Sequence, residues 1–262
     1  MADTAKQLDQ SQKPFAPDLR EQLDMAGRVQ RNFLPARMPN NDKLHFSALF
    51  RPADWVSGDI YDVRRLDEHN IGFYIADAVG HSMPAALLTI FIKQATIMRQ
   101  TFYNTYEIYS PKQVIEHLNQ QMVQQELAGC LFATSCCFLL NTKTMELTWA
   151  RAGHPYPILI RDGKPQSLSS RGGLLGIFEN TEFEQKTLTL QTGDKLFLYS
   201  DGAEPLIGRS ENEEEINFTS EFLNLCKLPV DEMIHALDEQ ADRHHPNPAE
   251  KDDITALALQ IK

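Results

Sequence analysis

From residue 43 onward the chain is dominated by short runs of strand-forming residues separated by turn signals, without the regular strand–helix alternation of a parallel sheet. "KLHFSALF", "GDIYDVRRL" and "IGFYIAD" follow one another between residues 43 and 77. Further runs are "CLFATSCCFLL", "MELTWARAG", "EFEQKTLTL", "DKLFLYSD" and the final "ITALALQI". "PILIRDGKPQSL" reads as a hairpin, because Asp162-Gly163 is a strong tight-turn pair. Helical patterns are fewer. One spans about 83–102, and a second opens at Ser110-Pro111 with Gln113 closing an S-x-x-Q box and carries Val114, Leu118 and Met122 on one face. An acidic, loop-rich segment is expected at about 203–220, with two more helical patterns before the last strand. These features predict an α+β fold: a central antiparallel β-sandwich flanked by helices on both sides. They exclude a doubly wound nucleotide-binding sheet.

The N-terminal region reads differently. Residues 1–17 are polar and contain Pro14 and Pro17, as expected of a disordered segment or linker. Asp18 and Glu21 make a capping signal, and Leu19, Leu23, Ala26, Val29 and Phe33 form one narrow apolar stripe up to Pro35. Residues 18–36 are therefore expected to be an amphipathic helix. Two readings stand: a helix packed on its own domain, or a seam (residues 18–34) for a homodimer or an upstream sensor. Residues 37–262 would then form the main folded domain.

The formal net charge of −11 leaves no basic stripe to displace counterions from a nucleic acid. No apolar run approaches the length of a membrane span, and the polar N-terminus lacks a signal-peptide core, so a cytoplasmic protein is expected. Cys130, Cys136, Cys137 and Cys226 have no C-x-x-C spacing, which favours buried thiols over zinc or disulfides. Adjacent Cys136 and Cys137 should point to opposite faces of one strand.

Aspartates recur at strand ends. Asp77 ends "IGFYIAD", Asp59 follows a glycine at the start of "DIYDV", Asp201 follows "LFLYS", and Asp252 and Asp253 precede the last strand. Any one of these fits an ordinary turn. Four strands together suggest carboxylates gathered at one sheet edge, where they could not all ionise without cations. Oxygen donors without a histidine or cysteine set point to magnesium or manganese.

The stretches "GRVQRNFLP", "RPADWVSGDIYD", "IADAVGHSMPAALL", "RAGHPYPILI", "GGLLGIF", "LYSDGAE" and "KDDITALAL" occur in the order found in one family. On them the chain resembles the metal-dependent phosphatases of the protein phosphatase 2C (PPM) type, in the bacterial SpoIIE/RsbU subgroup. The resemblance implies that Asp77 bridges two divalent cations, manganese or magnesium, with the Ala78 carbonyl serving one of them. It implies that Asp201 and Asp252 complete the second site, and that Asp59 lies on the first-metal side and holds coordinated water. Asp253 would orient the neighbouring ligand, and Asp62 and Asp54 would be structural. The family more often has glycine where this chain has Ala78, and Glu204 comes one residue sooner than the family pattern.

The implied activity is hydrolysis of phosphoserine or phosphothreonine on a partner-switching protein, a STAS-type anti-sigma-factor antagonist, by metal-activated water. The alternatives are a regulatory binding module of the same fold and a two-metal hydrolase of small phosphate esters. His81 and His154 read as loop-fixing residues, with proton donation to the leaving group a second role for His81. Arg51 and Arg151 are open to substrate phosphate binding or to surface ion pairing. The acidic "ENEEE" at 211–215 reads as a solvated loop beside the expected flap.

Overall fold

The structure is a computed structural model that describes residues 16–80, 82–125, 131–212, 215–244 and 251–262. The expectation for residues 1–17 falls almost wholly outside these residues, as do His81 and Cys130. Fourteen strands and six helices are described, numbered below in chain order.

Two five-stranded antiparallel sheets stack face to face. The first contains β1 (Leu44–Arg51), β14 (Ile254–Ile261), β11 (Lys195–Tyr199), β8 (Ile158–Arg161) and β9 (Lys164–Ser167), in that spatial order. The second contains β10 (Gln185–Thr189), β7 (Glu146–Ala152), β6 (Ala133–Asn141), β3 (Asn70–Ala78) and β2 (Asp59–Arg65). Alternate residues of both sheets meet in the central core. Phe46 of β1 lies edge-on to Phe73 of β3 at 5.3 Å, and Phe73 stacks on Phe138 of β6 at 4.9 Å. Aromatic pairs in these geometries contribute roughly 0.5–1.5 kcal/mol beyond their buried area.

Helices cover both outer faces. α2 (Met83–Ala95) and α3 (Pro111–Gln124) bury Leu88, Ile92, Val114, Leu118 and Met122 against the second sheet. α5 (Ser220–Leu225) and α6 (Val230–Arg243) bury Phe222, Met233 and Leu237 against the first. The expected sandwich with outer helices is therefore the observed architecture. Ser110 and Gln113 close the predicted capping box, and Asp162 and Gly163 make their turn at φ 53° and 71°. Cys136 faces the inter-sheet core and Cys137 the helical layer, both as buried free thiols.

Three boundaries differ from expectation. The helix expected over 83–102 stops at Ala95, where the Thr96 hydroxyl donates to the Ile92 carbonyl at 2.7 Å and the backbone turns out of the helix. A hairpin follows, β4 (Arg99–Phe102) and β5 (Thr105–Ile108), with Arg99 stacked 4.0 Å over the Tyr106 ring. The described residues of the expected loop-rich segment at 203–220 form regular structure instead. They make a 3-10 turn over Asp201–Ala203, the short helix α4 (Glu204–Ile207), and a hairpin of β12 (Gly208–Asn212) and β13 (Glu215–Phe218). Residues 213–214 of "ENEEE" and the side chains of the rest of that run lie outside the described residues.

The third boundary is α1, which runs Ala16–Asn32, so Asp18 sits in its first turn rather than capping it. Leu19, Met25 and Val29 are exposed, while Gly27 and Gln30 are buried. The helix meets its own domain through Gly27, against the Trp55 carbonyl, and through a polar anchor at Gln30. No helix among the described residues is long and apolar enough to cross a membrane.

Candidate active site

The site lies at one end of the sandwich, where the inward-facing positions change from apolar to polar. Side chains alternate along a strand, so the parity that buries Ile71, Phe73 and Ile75 also directs Asp77 inward. The same rule carries Tyr61 and Val63 back to Asp59, and Leu257 and Leu259 back to Thr255 and Asp253. It carries Leu196 and Leu198 on to Ser200, Phe138 and Cys136 back to Thr134, and Trp149 on to Arg151. Asp252 has the opposite parity and is exposed.

Asp59 and Asp77 are direct register partners across β2 and β3. Asp59 is 1% exposed and accepts a 2.7 Å hydrogen bond from the Ser200 hydroxyl. Burial, then the charges of Asp77 and Asp253, hold its carboxyl well above the usual range. Asp77 is pushed up to about 8 by burial, then by Asp201, Asp252 and Asp253. Among the described residues no side-chain or backbone donor serves its carboxylate; its neighbours in charge are other carboxylates. Asp201 is raised by burial and then by Asp252, against the lowering effect of backbone amides.

Asp253 contacts the neighbouring Asp252, in line with the expectation that it orients that ligand, and has a second task besides. Its two oxygens accept from the backbone amides of Ala53 at 2.6 Å and Gly58 at 2.7 Å, clamping the loop that leads into β2. Its own amide donates to Asp252 Oδ1 at 2.8 Å. Gly58 is required there, because a Cβ would stand 2.6 Å from the Ala78 carbonyl oxygen and against that of Gly80. Gly202 likewise packs on the Asp253 backbone, which brings Asp201 towards Asp252.

Among the described residues no three Asp, Glu, His or Cys side chains are arranged closely enough to hold a metal ion as they stand. The carboxylates instead surround one end of the fold and feel one another's charge, and the donor set is all hard oxygen. That set suits a magnesium- or manganese-type cation, which would offset repulsion that no cationic side chain among the described residues offsets at Asp77.

A cleft of about 510 Å³ opens beside Asp77 and Asp201, with Thr134, Arg151, His154, Tyr156, Arg171 and Glu204 among its walls. His154 is buried. Its Nδ1 lies 2.8 Å from the Thr134 hydroxyl, and burial followed by the Arg151 charge lowers it to about 3, so it stays neutral. Arg151 Nε donates to the Ser170 carbonyl at 2.9 Å and Nη1 to the His154 carbonyl at 2.7 Å, and its guanidinium stacks 4.2 Å over Tyr156. His154 thus has the loop-fixing role expected of it. Glu204 is raised by burial and then by Asp201.

The other arginine reading resolves away from the cleft. Arg51 pairs with Asp238 and Asp242 of α6, at 2.6 Å each. Asp62 is structural as expected, buried against Lys93 at 2.6 Å and Arg64 at 2.5 Å. Ser200, Thr134, Tyr156 and Arg171 were not singled out from sequence; extending the strand parity past the last apolar residue would have found the first two. Gln30 was also missed. Its Nε2 donates to the Ser57 carbonyl at 2.6 Å and to Thr89 Oγ1 at 3.0 Å, and its Oε1 accepts from the Ser57 amide at 2.9 Å.

Stacked antiparallel sheets, helices on both outer faces and aspartates gathered at one end define a domain of the PP2C fold. The SiaA-PP2C domain of Pseudomonas aeruginosa superposes with a TM-score of 0.73 at 19% identity, covering 96% of this chain and all of that one. The RsbU and RsbW domains of Rv1364c from Mycobacterium tuberculosis give 0.68 at 24% identity, covering 84% and 60%. RsbX in complex with magnesium gives 0.62 at 18%, covering 86% and 99%.

The family model for Stage II sporulation protein E (SpoIIE) matches residues 67–262, and the chain belongs to that family. Among curated relatives, the phosphoserine phosphatase RsbU of Bacillus subtilis (strain 168) is 29% identical over 201 residues, which is 76% of this chain and 58% of RsbU. The phosphoserine phosphatase RsbP of the same organism is 26% identical over 190 residues, 72% of this chain and 46% of RsbP. The chain thus spans about half the length of these relatives.

Proposed function

We propose that this chain is a metal-dependent protein phosphatase domain that hydrolyses phosphoserine or phosphothreonine on a STAS-type partner-switching protein. The observation that carries the reading is Asp77: a mostly buried carboxylate, served by no donor among the described residues and raised by Asp201, Asp252 and Asp253. Such a group is costly unless cations arrive. Family membership and the phosphoserine phosphatase relatives support the same conclusion.

In this reading Asp77, the Ala78 carbonyl, Asp201 and Asp252 hold two divalent cations, manganese or magnesium. Bound there, the ions would lower the pKa of a water and offset charge on the phosphoryl oxygens. The remaining residues position these ligands. Asp59 is read as supporting the first-metal side, fixed by Ser200. Asp253 sets the loop before β2, and Gly58 allows the close approach of the Ala78 carbonyl. Neutral His154, bonded to Thr134 beside Asp77, and the tethered Arg151 shape the cleft wall. No cysteine nucleophile is needed, and the three described thiols are buried.

The test is incubation with manganese and phosphorylated STAS proteins from the same genome, read by intact mass. Loss of one phosphate from a STAS protein is the expected result. Retention of phosphate on all of them, with turnover of small phosphate esters only, would favour the small-ester hydrolase instead. The exposed apolar side chains of α1 suit a proposed role for residues 18–34 as a dimer or sensor connection.

A further inference from the structure

We propose that Arg171 is a substrate-contacting residue that selects acidic side chains next to the phosphoserine; the inference deepens, and rests on, the phosphatase reading. The cleft wall contains two arginines. Arg151 is committed to two carbonyls and to the Tyr156 ring. The exposed Arg171 guanidinium has no hydrogen-bond or ion-pair partner among the described residues.

Its backbone, by contrast, is pinned. The Arg171 amide donates to the Glu184 carboxylate at 2.9 Å, its carbonyl accepts from the Glu184 amide at 2.8 Å, and Gly172 packs directly on the Arg151 carbonyl. A free cation on a fixed base is well suited to recognise an anion at little ordering cost.

Position favours the polypeptide over the reacting phosphoryl group. Arg171 lines the aspartate cleft and also a second groove of about 960 Å³ between α3 and residues 179–184. It is shared by both, so a chain leaving the cleft along that groove passes it. In the phosphatase reading cations neutralise Asp77 and Asp201, and Arg151 is already tethered. The groove carries Glu116, Glu179, Glu182 and Glu184 beside Lys112, so Arg171 at the junction is the cation left to meet an acidic side chain next to the phosphoserine.

The test uses the full chain with manganese and three probes: p-nitrophenyl phosphate, a phosphoserine peptide flanked by glutamates, and its glutamine counterpart. The wild type should prefer the glutamate peptide by about tenfold in kcat/KM, equivalent to about 1.4 kcal/mol. Arg171→Gln should erase that preference through KM, with kcat on the peptide retained, and Arg171→Lys should restore part of it. Equal turnover of the two peptides by the wild type would overturn the inference. So would an equal loss on p-nitrophenyl phosphate, which has no flanking residues, because Arg171 would then serve the phosphoryl group. Absence of manganese-dependent turnover on every probe would overturn the phosphatase reading, and the inference with it.

Discussion

Asp59 and Asp77 stand directly opposite each other on β2 and β3, two inward-facing carboxylates at the mouth of an apolar core. Both are held above the ordinary carboxylate range, first by burial and then by neighbouring carboxylates. A group whose folded-state pKa is raised binds more protons folded than unfolded, so stability falls as pH rises between the two values. For Asp77 that window runs from 3.8 to about 8. His154 works in the opposite sense between about 3 and 6.5, because the folded protein keeps it neutral. The two effects separate above pH 6.5. In chelator, the melting temperature should fall from pH 6.5 to 8, and saturating manganese should flatten the slope. A chelated protein whose stability rises over that interval would contradict the charge balance.

Gly58 makes a second prediction. A methyl group there would meet two backbone oxygens, those of Ala78 and Gly80, neither of which can rotate away. Gly58→Ala should displace the Ala78 carbonyl proposed as a metal ligand. Turnover should fall by tenfold or more, equivalent to at least about 1.4 kcal/mol. Manganese affinity should weaken with it, as read by calorimetric titration. Unaltered affinity would remove Ala78 from the ligand set.

Gln30 ties the N-terminal helix to the loop that leads into β2. Gln30→Ala would leave the Ser57 amide and carbonyl without these partners in a buried position, at a cost of about 1–3 kcal/mol per unsatisfied group. A lower melting temperature and slower turnover at saturating manganese are expected. Deleting residues 1–34 should change the oligomeric state or basal rate in the same assay series while leaving metal affinity intact. A deletion variant that cannot fold would place α1 within the core.

The sandwich was legible because alternation along strands and turn pairs such as Asp162-Gly163 are local signals. The aspartates were legible for the same reason, each standing beside its own apolar run. Other features depend on what the chain meets in three dimensions. Thr96 ends α2 early through a side-chain bond to Ile92, where apolar periodicity alone continues. The short helix and hairpin after Asp201 replace what composition presents as loop. Gln30 looks like a solvent residue on a helix until Ser57 and Thr89 close around it. Arg51 and Arg151 look alike in sequence, and only the position of α6 assigns Arg51 to a surface pair.

The most direct measurement is manganese-dependent turnover of a phosphoserine protein by the wild type, Asp77→Asn and Asp62→Asn, with melting temperatures recorded alongside. Asp77→Asn should remain folded, since neutralising one of several repelling carboxylates relieves strain in the metal-free protein. It should retain roughly a thousandth of the activity or less, a loss of about 4 kcal/mol in barrier stabilisation. Asp62→Asn removes a buried partner of Lys93 and should lower stability while costing far less turnover. A well-folded Asp77→Asn protein with near-normal, manganese-dependent turnover would contradict the account.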